Sequence, residues 1–225
     1  MNSSDLDAVW LTIQLATTTT FLLLAIGTPL AWWIARTSNP LRSIVEAITA
    51  LPLVLPPTVL GFYLLIAFNP NNPIGSFFVF LTGDTLAFSF KGLVVASLVY
   101  SLPFMVQPLR VAFAEVDTNL LDATRVLGAN SWMRFFTVAV PLSIRGFLTA
   151  AVLTFAHTIG EFGVVLMIGG NIPGETRVLS IAMYEHVETL SYAEAHKLAV
   201  SLLVFSFLVL VGVYTLNRRI PVKVA

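Results

Sequence analysis

The sequence predicts an all-α membrane protein, a single domain over residues 1–225 with five transmembrane helices, the N-terminus outside and the C-terminus in the cytoplasm. Three observations carry this reading. Mean hydropathy is +0.88. Hydrophobic residues make up 57% of the chain and charged residues only 11%, less charge than a soluble domain needs on its surface. Several apolar runs approach the ~20 residues that carry a helix across a hydrocarbon core of about 30 Å. The formal net charge is zero, which leaves no electrostatic case for nucleic acid. There is no cysteine, so disulfides, thiolate metal sites and cysteine nucleophiles are excluded.

The first helix is expected over about Val9 to Ala35. The preceding residues, MNSSDLDAVW, hold acids where a signal peptide carries bases, and the apolar run is too long for a signal h-region, so it reads as a retained membrane helix. The second is expected over about Ile44 to Phe68 and contains Pro52, Pro56 and Pro57. The third covers about Lys91 to Leu109, the fourth about Ile144 to Ile168 and the fifth about Leu198 to Leu216. Asn69 to Phe90 and Gly169 to Lys197 read as polar or Gly/Pro-broken connections. No internal repeat or flexible linker divides the chain.

Lys and Arg set the orientation. One side holds Arg36, Arg42, Arg110, Arg125, Arg134, Arg145, Arg218, Arg219 and Lys223; the other holds only Lys91, Arg177 and Lys197. The richer side faces the cytoplasm, and with it the partly polar segment Glu115–Pro141. In that segment Asp117 is placed to cap a helix carrying Leu120, Leu121, Thr124 and Leu127 at helical spacing. Gly128 suits the left-handed position past its end. Asn130 or Ser131 can cap a second helix with Trp132, Phe135 and Phe136, and Pro141 marks entry into the fourth span. From the residues alone, the pair of helices is either a contact for another protein or a hairpin lying on lipid headgroups, which Trp and Phe favour.

The segment also carries the spacing of a known pattern. Asp122-Ala123-Thr124 is followed after three residues by Gly128, and after nine more by Val138-x-Val140-Pro141. This resembles the cytoplasmic EAA loop of ABC importer permeases, which has Glu-Ala-Ala, Gly and Ile-x-Leu-Pro at the same intervals; Asp, Thr and the two Val are conservative departures. In that family the loop forms coupling helices seated in a cleft of the ATPase subunit. The resemblance therefore implies an ATPase contact from Ala123 to Phe136. Small Ala123 and Ala129 would allow close approach, and Arg125 or Arg134 would pair with acids of the partner. Leu51-Pro-Leu-Val-Leu-Pro-Pro-Thr58, Gly160-Glu-Phe-Gly163 and Asn171-Ile-Pro-Gly-Glu-Thr-Arg177 narrow the likeness to molybdate-importer permeases, over nearly the whole chain from Trp10 to Arg219. Sulfate and tungstate permeases are close relatives. Some relatives have an additional N-terminal helix, with which this chain does not start.

The same resemblance implies a homodimer in a prokaryotic inner (plasma) membrane, an ABC ATPase partner and an extracytoplasmic substrate-binding protein. It implies no cofactor in this chain, ATP and Mg being bound by the ATPase, and alternating access as the mechanism.

Two intramembrane places attract a role. Pro56 lies about 20 Å along the second helix from Arg42 at roughly 1.5 Å per residue. Prolines there remove backbone donors and disfavour helix before each ring. The helix is expected to break and restart near Pro57–Thr58, its free N–H groups forming a polar element of an oxyanion path; a kinked packing helix is the alternative. Glu161 is the only acid placed inside a membrane span, with His157 one turn earlier as its i, i+4 partner. A gate or subunit-contact role, flanked by Gly160 and Gly163, stands beside a satisfied structural pair. On the outer segment, Val178, Ile181, Ala182 and Tyr184 beside Glu185 and Glu188 read either as a binding-protein dock or as a helix sealing the pore mouth.

No G-x-x-x-x-G-K-[ST] occurs, so the chain has no phosphate-cradling loop of that type. Ser201, His196 and Glu194 lack a nucleophile-elbow context. A stand-alone secondary transporter would need several intramembrane charges, and an intramembrane enzyme a polar constellation at depth.

Overall fold

The structure is a computed structural model that describes residues 3–219; Lys223, counted above among the cytoplasmic cations, lies outside them. All regular structure among the described residues is helical. α1 (Ser3–Arg36) is unbroken over 34 residues. Its buried face recurs every three to four positions through Leu11, Leu15, Thr19, Leu23, Gly27, Ala31 and Ile34, the spacing of one helix face. The opposite face leaves Phe21, Ile26 and Trp33 exposed. α5 (Phe90–Ala114) keeps Pro103 and Pro108 inside a continuous helix and so runs past the expected Leu109 end. α12 (Tyr192–Arg219) also starts earlier than expected.

The second and fourth expected spans are both broken. α2 (Arg42–Val54) and α3 (Pro57–Phe68) meet at a bend of 113° across Leu55–Pro56. α9 (Ile144–Gly160) stops at Glu161, and a separate α10 (Gly163–Gly169) follows. Entry at Pro141 is not a clean start either. Helix continues through Pro141, as a π-helical turn over Phe135–Ala139 and then α8 (Val140–Leu142), and the bend falls at Ser143. Ser131–Leu142 and Ile144–Gly160 meet there at 74°. Among the described residues, three helices are long and apolar enough to cross a membrane, and five if each bent pair is one span. Both supposed polar connections carry helices, α4 (Pro73–Thr82) and α11 (Leu179–Glu188). α4 was hidden in the sequence because its ten residues fall short of a span.

α1, α5 and α9 pack against one another, while α3 lies on α10 and α10 on α5. One core cluster, toward the N-terminal end of α1, joins Leu15, Leu93, Val164, Ile168 and Ile181. A second, toward its C-terminal end, joins Leu23, Ile34, Met105, Leu109 and Phe113. Polar ties fix the ends. Asp5, fully buried, meets His186 of α11 at 3.0 Å. Glu46 of α2 contacts Arg110 of α5 and lies 3.8 Å from Arg42. Glu161 is therefore not the only acid within the expected spans: Glu46 shares that place and is neutralised by two arginines.

Candidate functional site

The segment after α5 begins with an anchor. Arg36, at the last residue of α1, donates from Nη2 to the carbonyls of Phe113 (2.7 Å) and Val116 (2.6 Å), with its guanidinium 5.3 Å from the Trp32 ring centroid. A cation is thus set at the C-terminal end of α5, where the helix dipole favours it, and the Phe113 carbonyl also accepts from the Val116 N–H at 3.4 Å. α6 (Thr118–Val126) starts from Asp117, whose carboxylate accepts from the Asn119 N–H at 2.9 Å. It ends with the Gly128 N–H on the Arg125 carbonyl and the Ala129 N–H on the Thr124 carbonyl, both at 3.0 Å. That pair of bonds is the Schellman closure, and it requires the left-handed φ of +85° at Gly128. Asn130 then caps α7 (Ser131–Arg134), accepting from the Met133 N–H at 2.8 Å.

Of the residues singled out here, Asp122, Ala123, Arg125 and Gly128 are exposed, Thr124, Ala129 and Arg134 half-buried, and Pro141 exposed. Arg134 donates to Ser131 Oγ at 3.2 Å. The apolar side chains around the turn face outward: Val126 is 86% exposed, Leu127 85% and Trp132 73%. Leu121 and Ala139 hold the segment to the bundle. A cavity of about 700 Å³ opens at the foot of α5, lined by Glu115, Asp117, Ser143 and Arg145 among others.

The two intramembrane places, far apart in sequence, form one site. Gly163 lies directly over Pro57, where a Cβ would come within 2.7 Å of the proline Cβ, and Gly61 lies over Met167 in the same way at 2.8 Å. The break between α2 and α3 is thereby clasped to the break between α9 and α10. Glu161, 7% exposed, caps α10: its Oε1 accepts from the Val164 N–H at 2.7 Å, while its carbonyl accepts from Ser180 Oγ at 2.6 Å.

The expected His157–Glu161 pair is not formed. With α9 ending at Gly160, Glu161 leaves the helical register and its carboxylate turns to the α10 N-terminus. His157 instead lies on Phe104 (ring centroids 3.8 Å) and Tyr100 (4.6 Å), with Nδ1 3.2 Å from Ser101 Oγ. Pro56 and Thr58 are exposed, Pro57 half-buried. Fewer N–H groups are free there than expected. Pro57 has none, and Val59 and Leu60 both donate to the Pro56 carbonyl, which leaves the Thr58 N–H as the candidate donor.

In α11, Val178, Ile181 and Ala182 are buried, so the apolar run is core. Arg177 meets Glu185 at 2.9 Å, and Asn171 donates to the same carboxylate. Hydrogen bonding to Glu188, and then the charge of that carboxylate, push the Tyr184 pKa up. Arg36, Tyr100, Ser101 and Ser180 were not foreseen; a cation in the last turn of a helix was a usable signal for Arg36 alone.

An all-helical membrane fold with two clasped helix breaks and an exposed helix–glycine–helix loop defines a transport permease. The chain belongs to the family described as binding-protein-dependent transport system inner membrane component, whose model matches residues 27–221. It is 55% identical to the molybdenum transport system permease protein ModB of Azotobacter vinelandii over 97% of this chain and 96% of that one. With ModB of Escherichia coli K12 it shares 38% identity over 84% and 82%. With the sulfate transport system permease protein CysT of Synechocystis it shares 32% over 85% and 67%. Among solved structures, a bacterial ABC transporter for import of the acidic polysaccharide alginate matches with a TM-score of 0.78 at 17% identity, over 98% of this chain and 81% of that one. The MetNI methionine ABC transporter matches at 0.71 and 20%, over 99% and 100%. These likenesses show the fold.

Proposed function

We propose that the chain is the membrane-spanning permease subunit of an ATP-driven molybdate importer, acting as a homodimer of five-span protomers with the N-terminus outside, in a prokaryotic inner membrane. The observation that carries the reading is the Schellman-closed pair α6–α7, with Val126, Leu127 and Trp132 turned outward, in a chain 55% identical to a molybdenum permease. The substrate reading favours molybdate over sulfate because the molybdenum relatives are the more similar, 55% and 38% against 32%. The permease performs no bond chemistry; ATP and Mg belong to the partner ATPase.

In this mechanism the ATPase dimer closes on ATP and draws together the two coupling loops, Asp122–Phe136 of each protomer. Motion passes through Arg36 and the foot of α5 into the bundle. At depth, the clasp of Pro57 on Gly163 and of Gly61 on Met167 makes α3 and α10 move as one body, which acts as the gate. Glu161 keeps α10 helical from its first turn without presenting a bare charge to a passing oxyanion. Thr58, at the exposed start of α3, offers an N–H and a hydroxyl to the anion. A binding protein docks on the outer side, where Tyr184, Val187 and Glu188 are accessible.

The test is uptake of labelled molybdate by the permease–ATPase complex in proteoliposomes, with unlabelled molybdate, tungstate and sulfate as competitors. Molybdate displaces label at lower concentration than sulfate does; the reverse order makes it a sulfate permease. Thr58→Val slows uptake and leaves the ATPase bound; unchanged uptake removes Thr58 from the path.

A further inference from the structure

We propose that the groove between α1 and the α7–π-turn segment binds an anionic glycerophospholipid, one acyl chain along the groove and the headgroup phosphate at Arg134. The groove has a volume of about 480 Å³ and is walled by Leu24, Thr28 and Trp32 on one side and by Trp132, Phe135 and Phe136 on the other. Ligand sites commonly fall within roughly 300–1,000 Å³.

Three features select a lipid. The first is length. The α1 wall of the groove runs from Trp32 up to Leu24, about 12 Å at 1.5 Å per residue. One leaflet of the hydrocarbon core is about 15 Å deep. A soluble partner reaches the Trp132 end of such a groove but not its length. The second is the wall, four aromatic rings with Trp132 stacked on Phe136 at 5.9 Å and Phe135 edge-on to Trp32 at 5.3 Å. The π-helical turn that begins at Phe135 lets neighbouring phenylalanines serve both roles: Phe135 keys into the core beside Phe113, and Phe136 stays outside as a wall. Aromatic rings of this kind gather at the membrane–water boundary.

The third is charge. No Asp or Glu lines the groove. Arg134 reaches Ser131, itself a lining residue, at 3.2 Å, and the Arg36 guanidinium lies over the Trp32 ring. Arg134, beside an acid-free apolar slot, complements a phosphodiester above an acyl chain, while Arg36 is already engaged by the Phe113 and Val116 carbonyls. The lipid would wedge the first helix against the coupling element.

The experiment uses the full chain, without its ATPase, in vesicles of phosphatidylcholine containing a small fraction of phosphatidylglycerol, with either lipid brominated on its acyl chains. Trp10→Phe and Trp33→Phe leave Trp32 and Trp132 as the fluorophores. Quenching by brominated phosphatidylglycerol is expected to exceed that by the same fraction of brominated phosphatidylcholine, by an enrichment of about fivefold, the order that one arginine near an anionic headgroup supplies. Arg134→Gln abolishes the preference and leaves quenching at the bulk fraction. Equal quenching by the two lipids, or a preference unchanged in Arg134→Gln, overturns the proposal. Near-UV circular dichroism of each variant, matching the parent, establishes that the fold is retained.

Discussion

Gly128 adopts a φ of +85° with nothing within 4 Å of where a Cβ would stand. Space is therefore not its constraint; backbone handedness is. An L side chain in that region costs about 1–2 kcal/mol. Gly128→Ala is expected to weaken ATPase retention on co-purification by up to about tenfold, whereas Gly128→Pro, which cannot reach a positive φ at all, loses the ATPase. Retention by the proline variant would remove this turn from the coupling role. Glu161 permits a similar isolation of cause. Glu161→Gln keeps an oxygen for the Val164 N–H, while Glu161→Ala leaves the start of α10 uncapped at about 1 kcal/mol. Thermal unfolding in detergent is expected to show a lower midpoint for the alanine variant than for the glutamine variant. At this scale the sequence was readable where one residue type solves one backbone problem, as at Asp117, Gly128 and Asn130. It misled at His157, because i, i+4 spacing means nothing once the helix has ended between the two.

Between elements, the informative contacts are those that join breaks and ends. Gly163→Leu must displace Pro57, and overpacking of this kind costs about 1–3 kcal/mol. It is expected to lower the unfolding midpoint and to slow uptake, while an alanine at Gly160, where a Cβ meets nothing within 4 Å, is expected to leave the midpoint near that of the parent. A Gly163→Leu protein as stable as its parent would deny the clasp. Arg36→Gln removes charged donors from the Phe113 and Val116 carbonyls. Hydrogen bonds to charged groups contribute about 1.5–3 kcal/mol each, so the variant is expected to unfold earlier and to hydrolyse ATP in the complex with poorer coupling to uptake. The prolines of the second expected span announced its interruption, since they forbid helix at known positions. The interruption at Glu161 carries no proline and was invisible; it is held by a tertiary bond from Ser180 to the Glu161 carbonyl, which no local pattern encodes.

For the whole molecule, hydropathy located every long helix, because a bilayer imposes one length on all of them. The number of crossings was less legible: α3 and α10 are too short to span alone, and the prolines that mark the break in the second span do not give its bend of 113°. Orientation is open to direct measurement, because the chain has no cysteine of its own. A maleimide reagent that cannot cross the membrane is expected to label Leu127→Cys only in inverted vesicles and Glu175→Cys only in intact cells. The opposite pattern inverts the topology and places α6 and α7 out of reach of any ATPase. Light scattering of the permease–ATPase complex is expected to give two copies of the 24.5 kDa chain per particle; a single copy excludes the homodimer.

The grip of Arg36 on the foot of α5 has one more consequence. A crank loses its stroke if the shaft frays where the handle joins it, and the free carbonyls of a terminal turn are where a helix frays. Here that joint is spliced by a side chain from the neighbouring shaft, so under the proposed mechanism a tug at the loop is expected to turn α1 and α5 together rather than dissipate as local unwinding.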